Sequence, residues 1–191
     1  MSLKVLVIPE DFTKDEHILL PLVSRIVEEC GRKGKVRICR DPNFQGVDAA
    51  LDLERLRTEV IGRQAMVDWF LLIVDRDGQK GREDTAARLE AALDARLGPS
   101  ERRFVVTLAY QEVEALLLAG HELPPDWSWQ EMRADADVKN TYFKKFVALG
   151  GTKRKPHEGR QKLMAEAMRN WNRIKARCPE DVGRLIARLR G

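Results

Sequence analysis

Residues 69–78, Trp69-Phe70-Leu71-Leu72-Ile73-Val74-Asp75-Arg76-Asp77-Gly78, constrain the fold of this chain more than any other stretch. Six large apolar residues in a row stop at two carboxylates one residue apart. Such a run, rich in β-formers, predicts a strand buried on both faces, and Asp-Arg-Asp-Gly predicts the turn at its carboxyl end. Strands covered on both sides belong to α/β sheets, which place their sites beyond the carboxyl ends of the strands. Leu3 to Ile8 repeats the pattern and ends at Pro9-Glu10-Asp11. If the two strands are parallel neighbours, Glu10, Asp75 and Asp77 emerge side by side at one edge. Carboxylates that close repel one another unless a cation lies between them, and oxygen ligands without cysteine or histidine suit magnesium or manganese.

The rest of the chain reads as strands alternating with helices. After Thr13, the apolar residues Ile18, Leu19, Leu22, Val23, Ile26 and Val27 recur at helical spacing until Gly31. A second strand at 35–39 and a helix over 48–64 precede the strand that ends at Asp75. A charged loop leads to a helix carrying Leu89, Leu93 and Leu97, then to a fourth strand at 103–109 and a short helix over 111–119. This rhythm predicts an α/β, Rossmann-like core of about four parallel strands flanked by helices, spanning 1–120. Residues 121–191 read as a helical extension packed on that core. Its segment 121–136, with Pro124, Pro125, Trp127 and Trp129, reads as an irregular connection. Helices are expected at 137–148, 158–176 and 179–190, with Trp171 on a core stripe beside Met164, Ala167 and Met168.

Charge is unevenly spread. Between Lys139 and Lys162 stand eight basic residues (Lys139, Lys144, Lys145, Lys153, Arg154, Lys155, Arg160 and Lys162) against Glu158 alone. With a chain total of +4, that window carries +7 and the remainder −3. A concentrated basic patch on a slightly acidic protein fits a polyanionic partner, either DNA or RNA. Cys30, Cys39 and Cys178 are odd in number and scattered, which suggests neither a disulfide framework nor a thiolate zinc site. No apolar run is long enough for a membrane span, so a reducing cytoplasm is the expected compartment and a membrane partner is excluded.

Asp-x-Asp-Gly on its own is a turn, and the pattern of Gln79 and Lys80 excludes an EF-hand. The conjunction carries the metal reading: acids stand at two strand ends and again at Glu112 and Glu114, at the start of the helix after the fourth strand. Two residues apart on a helix, those glutamates point about 200° apart, so one alone is expected to face the pocket.

These residues resemble the Toprim domain, in particular the OLD-type nucleases and their small stand-alone relatives. The first motif of that family, Glu-Gly-x-Thr-Asp/Glu, is similar to Glu10-Asp11-Phe12-Thr13, with Asp11 where glycine is usual. A glycine there lets the backbone approach a phosphate, which an aspartate hinders unless it serves as an extra metal ligand. The second motif matches at Asp75 and Asp77. The third, Glu-Ala-Trp-Leu-Leu-Ala, is similar to Glu114-Ala115-Leu116-Leu117-Leu118-Ala119. The resemblance covers most of the chain, including Lys139, Lys155-Pro156-His157 and Cys178-Pro179.

It implies a metal-dependent nuclease hydrolysing nucleic-acid phosphodiesters, of the kind that acts in anti-phage or mobile-element defence. Asp75 and Asp77 would coordinate Mg2+ or Mn2+, with Glu114, chosen over Glu112 on the resemblance, as a further ligand or orienter. Glu10 would complete the metal shell or act as general acid/base. Lys139 or Lys155 would stabilise the charged phosphorus centre. Lys144, Lys145, Lys153, Arg154, Lys155 and Arg160 would hold the nucleic-acid backbone. The alternative is a nucleic-acid-binding Toprim subunit active only with a partner, such as a separately encoded ATPase, and a homodimer is compatible with either. A third reading, an Asp-x-Asp enzyme acting on a nucleotide-sugar, fits the basic window less well. Among the histidines, His157 lies best to meet a phosphate, while His17 and His121 read as structural.

Overall fold

The computed structural model describes residues 2–98, 102–150 and 156–190. Strand β1 (Leu3–Pro9) leads through helix α1 (Phe12–Glu29) to β2 (Gly34–Ile38). Two short helices, α2 (Val47–Ala50) and α3 (Leu53–Arg55), the second continuing as a π-helical stretch Leu56–Ile61, precede β3 (Trp69–Asp75). Helix α4 (Arg82–Leu97) joins β3 to β4 (Arg103–Ala109), and α5 (Glu114–Leu118) follows. The C-terminal part holds α6 (Trp129–Ala134), a π-helical turn Lys139–Phe143, α7 (Lys144–Leu149), α8 (Arg160–Ala167), α9 (Trp171–Arg177) and α10 (Arg184–Arg190). All strand pairs are parallel, in the order β2-β1-β3-β4, so the fold is Rossmann-like α/β.

Strand β3 is buried on both faces, as its apolar run requires. Trp69, Leu71 and Ile73 point into a core shared with α1 and the C-terminal helices, and Phe70, Leu72 and Val74 into a second core with α4 and residues 44–67. Met132, Leu163, Met164, Ile174, Val182 and Leu189 join the first core directly, so the C-terminal extension is continuous with the sheet it covers. Its closest approach is at Gly120, where a Cβ would stand 2.5 Å from that of Ala167. Among the described residues no helix is long and apolar enough to cross a membrane.

Three helical expectations need correction. The helix over 48–64 breaks at Asp52, whose carboxylate accepts the Arg55 N–H at 2.9 Å and starts a new helix. The helix expected over 158–176 begins after left-handed Gly159 and is interrupted by a 3-10 turn, Met168–Asn170, where Asn170 Nδ2 donates to the Gly120 carbonyl at 2.9 Å. Residues 121–136 are not wholly irregular, because Ser128 caps α6 by accepting the Glu131 N–H at 3.4 Å.

The fourth correction shapes the site. Helix α5 begins at Glu114 rather than at Gln111, because the backbone of 111–113 is committed to the end of β3. The Gln111 carbonyl accepts N–H groups from Arg76 at 2.8 Å and Asp77 at 3.0 Å, and Val113 donates its N–H to Asp75 Oδ1 at 2.8 Å. Glu112 therefore lies in a turn, and the 200° separation expected for two helical residues does not apply.

Candidate functional site

Register places Pro9 opposite Ile73, so β1 and β3 release Glu10 and Asp75 at the same edge of the sheet. One carboxylate oxygen from each of Asp75, Glu112 and Glu114 lies within 4.8 Å of the others. Val113, between the two glutamates, anchors the arrangement through its bond to Asp75 Oδ1. Glu112 Oε2 accepts the Lys139 N–H at 2.5 Å, which fixes the start of the π-helical turn against the cluster. Both glutamates thus turn toward Asp75.

Glu114 is sealed beneath this group. Its Oε1 accepts a hydrogen bond from Arg160 Nη2 at 2.6 Å and lies 3.8 Å from Lys139 Nζ. The Arg160 side chain is 1 % exposed, its guanidinium 4.6 Å from the centre of the Phe143 ring. That position corrects the expectation that Arg160 touches a nucleic-acid backbone: its charge is consumed inside the protein by a buried carboxylate.

Asp77 stands apart from the three converging carboxylates. It adopts a left-handed conformation (φ 49°), and its Oδ2 accepts from Arg82 Nη1 at 2.7 Å. The same nitrogen donates to the Asp75 carbonyl at 2.6 Å, so Arg82 clamps the turn. Glu10 is close enough to Asp77 to feel its charge. Burial first, and then Asp77, raise the Glu10 carboxyl above its ordinary range, and its Oε2 is enclosed without a hydrogen-bond partner among the described residues.

Asp15, which carried no assigned role in the sequence, joins the cluster from the first turns of α1. Burial, then Glu114 and Asp11, push its carboxyl up to about 7, against the opposing hydrogen bond it accepts from the Asp11 N–H at 3.1 Å. The signal was present: Asp15, Ile18, Leu19 and Leu22 occupy one helical stripe, so Asp15 continues the buried face of α1 toward the sheet edge. Asp11 itself is the N-cap of α1, accepting from the Thr13 N–H at 2.9 Å and from the Thr13 hydroxyl. Its side chain serves the helix.

Electrostatics follow from this crowding. Burial, then Glu114, Asp15 and Glu10, hold the Asp75 carboxyl well above the usual range. Burial also raises Glu112 to about 7, opposed by the Lys139 amide and reinforced by Glu114. An open cleft of about 510 Å3 reaches Asp75, with Glu10, Asp15, Lys14, Lys139 and Asn43 among its other lining residues, while Glu112 and Glu114 are buried and do not line it. Among the described residues, the five carboxylates thus meet the cations Lys139 and Arg160 and, at Glu10, Arg82.

Of the expected basic surface, Lys144 and Lys145 are exposed on α7 and Lys162 pairs with Glu166 at 3.7 Å. Lys153, Arg154 and Lys155 lie outside the described residues. His157 lies against His17 with ring centroids 4.1 Å apart and planes tilted by 37°, and His121 Nε2 bonds the Leu163 carbonyl at 2.9 Å. All three cysteines are free. No protein-family model, no curated protein and no solved structure matches the chain.

Proposed function

We propose that the protein is a metal-dependent phosphoryl-transfer enzyme, a nuclease of Toprim type that hydrolyses nucleic-acid phosphodiesters in a cytoplasmic setting, with anti-phage or mobile-element defence as its context. The observation that carries the reading is the convergence of Asp75, Glu112 and Glu114 within 4.8 Å, with Asp75 lining an open cleft. Burial and the neighbouring carboxylates raise the Asp75 and Glu112 carboxyls above their ordinary range, which is what a site that attracts a cation would show. Oxygen donors without sulfur or imidazole fit Mg2+ or Mn2+. Asp75 and Glu112 would hold the ion, with Glu114 and Glu10 completing or orienting the set and Asp77 positioned by Arg82 beside it. When bound, such an ion polarises a phosphoryl oxygen and lowers the pKa of a coordinated water.

The chain's own residues supply the remainder. Lys139 presents its ammonium to the cleft and would neutralise charge developing on the phosphoryl oxygens. Glu10, its carboxyl raised above the ordinary range by burial, is suited to hold and release a proton. Lys14, Lys144 and Lys145 are exposed cations for a polyanionic strand. A second reading, a nucleic-acid-binding subunit dependent on a separately encoded ATPase, draws on the Arg160–Glu114 pair, which keeps one carboxylate of the group engaged.

Incubation of the purified protein with plasmid, single-stranded DNA and transfer RNA, with Mg2+, Mn2+ or a chelator, tests the proposal. Metal-dependent cleavage that disappears in Asp75→Asn supports the nuclease. Cleavage that persists in that variant overturns it, and cleavage seen only with an added ATPase favours the second reading.

A further inference from the structure

The outer edge of β4 is covered by side chains rather than by another strand. Pairing to β3 leaves Phe104, Val106, Leu108 and Tyr110 with backbone groups directed outward. Three of these four N–H groups are accepted by carboxylates: that of Phe104 by Asp94 Oδ1 at 3.1 Å, that of Val106 by Glu90 Oε2 at 2.7 Å, and that of Tyr110 by Asp181 Oδ2 at 3.2 Å. The Val106 carbonyl also accepts from Arg188 Nη1 at 2.9 Å. Leu108, between two capped positions, has no hydrogen-bond partner for its N–H or C=O among the described residues.

Both flanking helices skip that rung for a reason visible in the sequence. On α4, Asp94 and Glu90 are one turn apart, and the next turn carries Ala86 and Ala87, which have no polar atom to offer. On the C-terminal helix, Asp181, Arg184 and Arg188 share one face, and Arg184 takes the middle position. A cleft of about 470 Å3 opens there, lined by Leu108, Ala86, Ala87, Tyr110, Arg76 and Arg184 among others. Its other charges are matched: Glu90 pairs with Arg188, Asp181 with Arg133 at 2.7 Å, Glu180 with Arg133 at 3.6 Å, and Glu83 with Arg76 at 3.5 Å. Arg184 is exposed and has no ion-pair partner among the described residues.

We propose that this cleft binds a small monocarboxylate with an apolar body. One carboxylate oxygen accepts the Leu108 N–H, as Asp94, Glu90 and Asp181 do for the neighbouring rungs, and the charge is met by Arg184. The body of the ligand lies against Ala86 and Ala87. A single unmatched guanidinium and the acidic rim of Glu83 and Glu180 favour a monoanion over a phosphate dianion. Arg188 and Asp181 block the rungs on either side, which excludes an added β-strand. The site is separate from the acidic cleft and does not depend on its function.

Titration of 15N-labelled protein with butyrate and N-acetylleucine, following the Leu108 amide, tests the assignment, with N-acetylleucinamide as the uncharged control and acetyl-tetraalanine as a peptide carboxylate. Saturable shifts are expected for the two small acids and not for the amide, with affinity about tenfold weaker or less in Arg184→Ala. Ala87→Glu, at an exposed helical position, supplies the missing cap internally and is expected to abolish binding in a folded protein. The proposal is overturned by absence of saturation with both acids, by equal binding of the amide, by undiminished binding in either variant, or by binding of the peptide alone.

Discussion

Arg160 Nη2 lies 2.6 Å from Glu114 Oε1 with both side chains almost fully enclosed, so the first residue of α8 is tied to the first residue of α5 through a buried ion pair. Removing one member strands the other charge away from water. Arg160→Met is expected to cost about 3–5 kcal/mol of unfolding free energy, measured by urea denaturation. Glu114→Gln keeps a hydrogen-bond acceptor and should cost less. A loss below about 1 kcal/mol in Arg160→Met would mean that the pair is not formed in solution.

Asp75→Asn separates chemistry from folding. The amide oxygen still accepts the Val113 N–H, while repulsion from Glu114, Asp15 and Glu10 is relieved. Stability should therefore stay within about 1 kcal/mol of the parent or rise, while metal-dependent cleavage falls by about 10^3-fold or more. A variant that unfolds would show that the carboxylate is structural.

Much of the fold was legible because β1 and β3 are apolar runs closed by turn residues, and their adjacency, a condition in the sequence, is met by their parallel pairing. Glu10 and Asp75 arrive at one cleft from the ends of neighbouring strands, and Lys139, which the sequence did not separate from Lys155, lines the same cleft. The place of Glu112 was not legible, since it depends on Gln111 and Val113 bonding the end of β3 instead of starting a helix. The direction of Arg160 was hidden for a different reason. A window of like charges says nothing about which member turns inward, and only Glu114 and Phe143 at the opposite wall decide it.

The metal-free protein should lose stability as pH rises from 5 to 8. Asp15 and Glu112 both titrate near 7 in the folded state, against about 4 when unfolded, so the folded state binds the extra protons. Their contribution is complete below about pH 4 and is lost as pH passes through 7, a loss of about 1–3 kcal/mol carried mainly by the more enclosed Asp15. Mg2+ should reverse the trend by replacing protons, raising the melting temperature more at pH 8 than at pH 5. A melting temperature in chelator that climbs with pH over this range would contradict the assignment of the buried carboxyls.

Lys139→Met is expected to lower the cleavage rate about 100-fold while leaving the backbone bond to Glu112 in place. Lys139 Nζ faces Glu114 at 3.8 Å and eases the crowding of Glu10, Asp15 and Glu112, so its loss should also raise the pH at which activity appears. A pH–rate profile that keeps its shape in the variant would confine Lys139 to a structural role.

Gly120 sets how closely the C-terminal helices approach the core. Its Cα faces the end of α8 so tightly that a Cβ would stand 2.5 Å from Ala167 Cβ, 2.6 Å from its Cα and 2.6 Å from its carbonyl oxygen. Backbone atoms are among those neighbours, so no side-chain rotation can relieve the overlap, and α8 would have to move. Movement there is transmitted to Arg160 at the start of the same helix and hence to Glu114 in the cluster. Gly120→Ala is therefore expected to destabilise the fold by about 1–3 kcal/mol and to weaken Mg2+ binding, although it touches no carboxylate. The compensating double variant Gly120→Ala/Ala167→Gly removes one methyl group as it adds another, leaving the contacts with the Ala167 backbone. It should recover part of the stability, as read by urea denaturation, and metal affinity in parallel. Recovery of stability without recovery of metal affinity would show that the packing of α8 and the geometry of the site are independent.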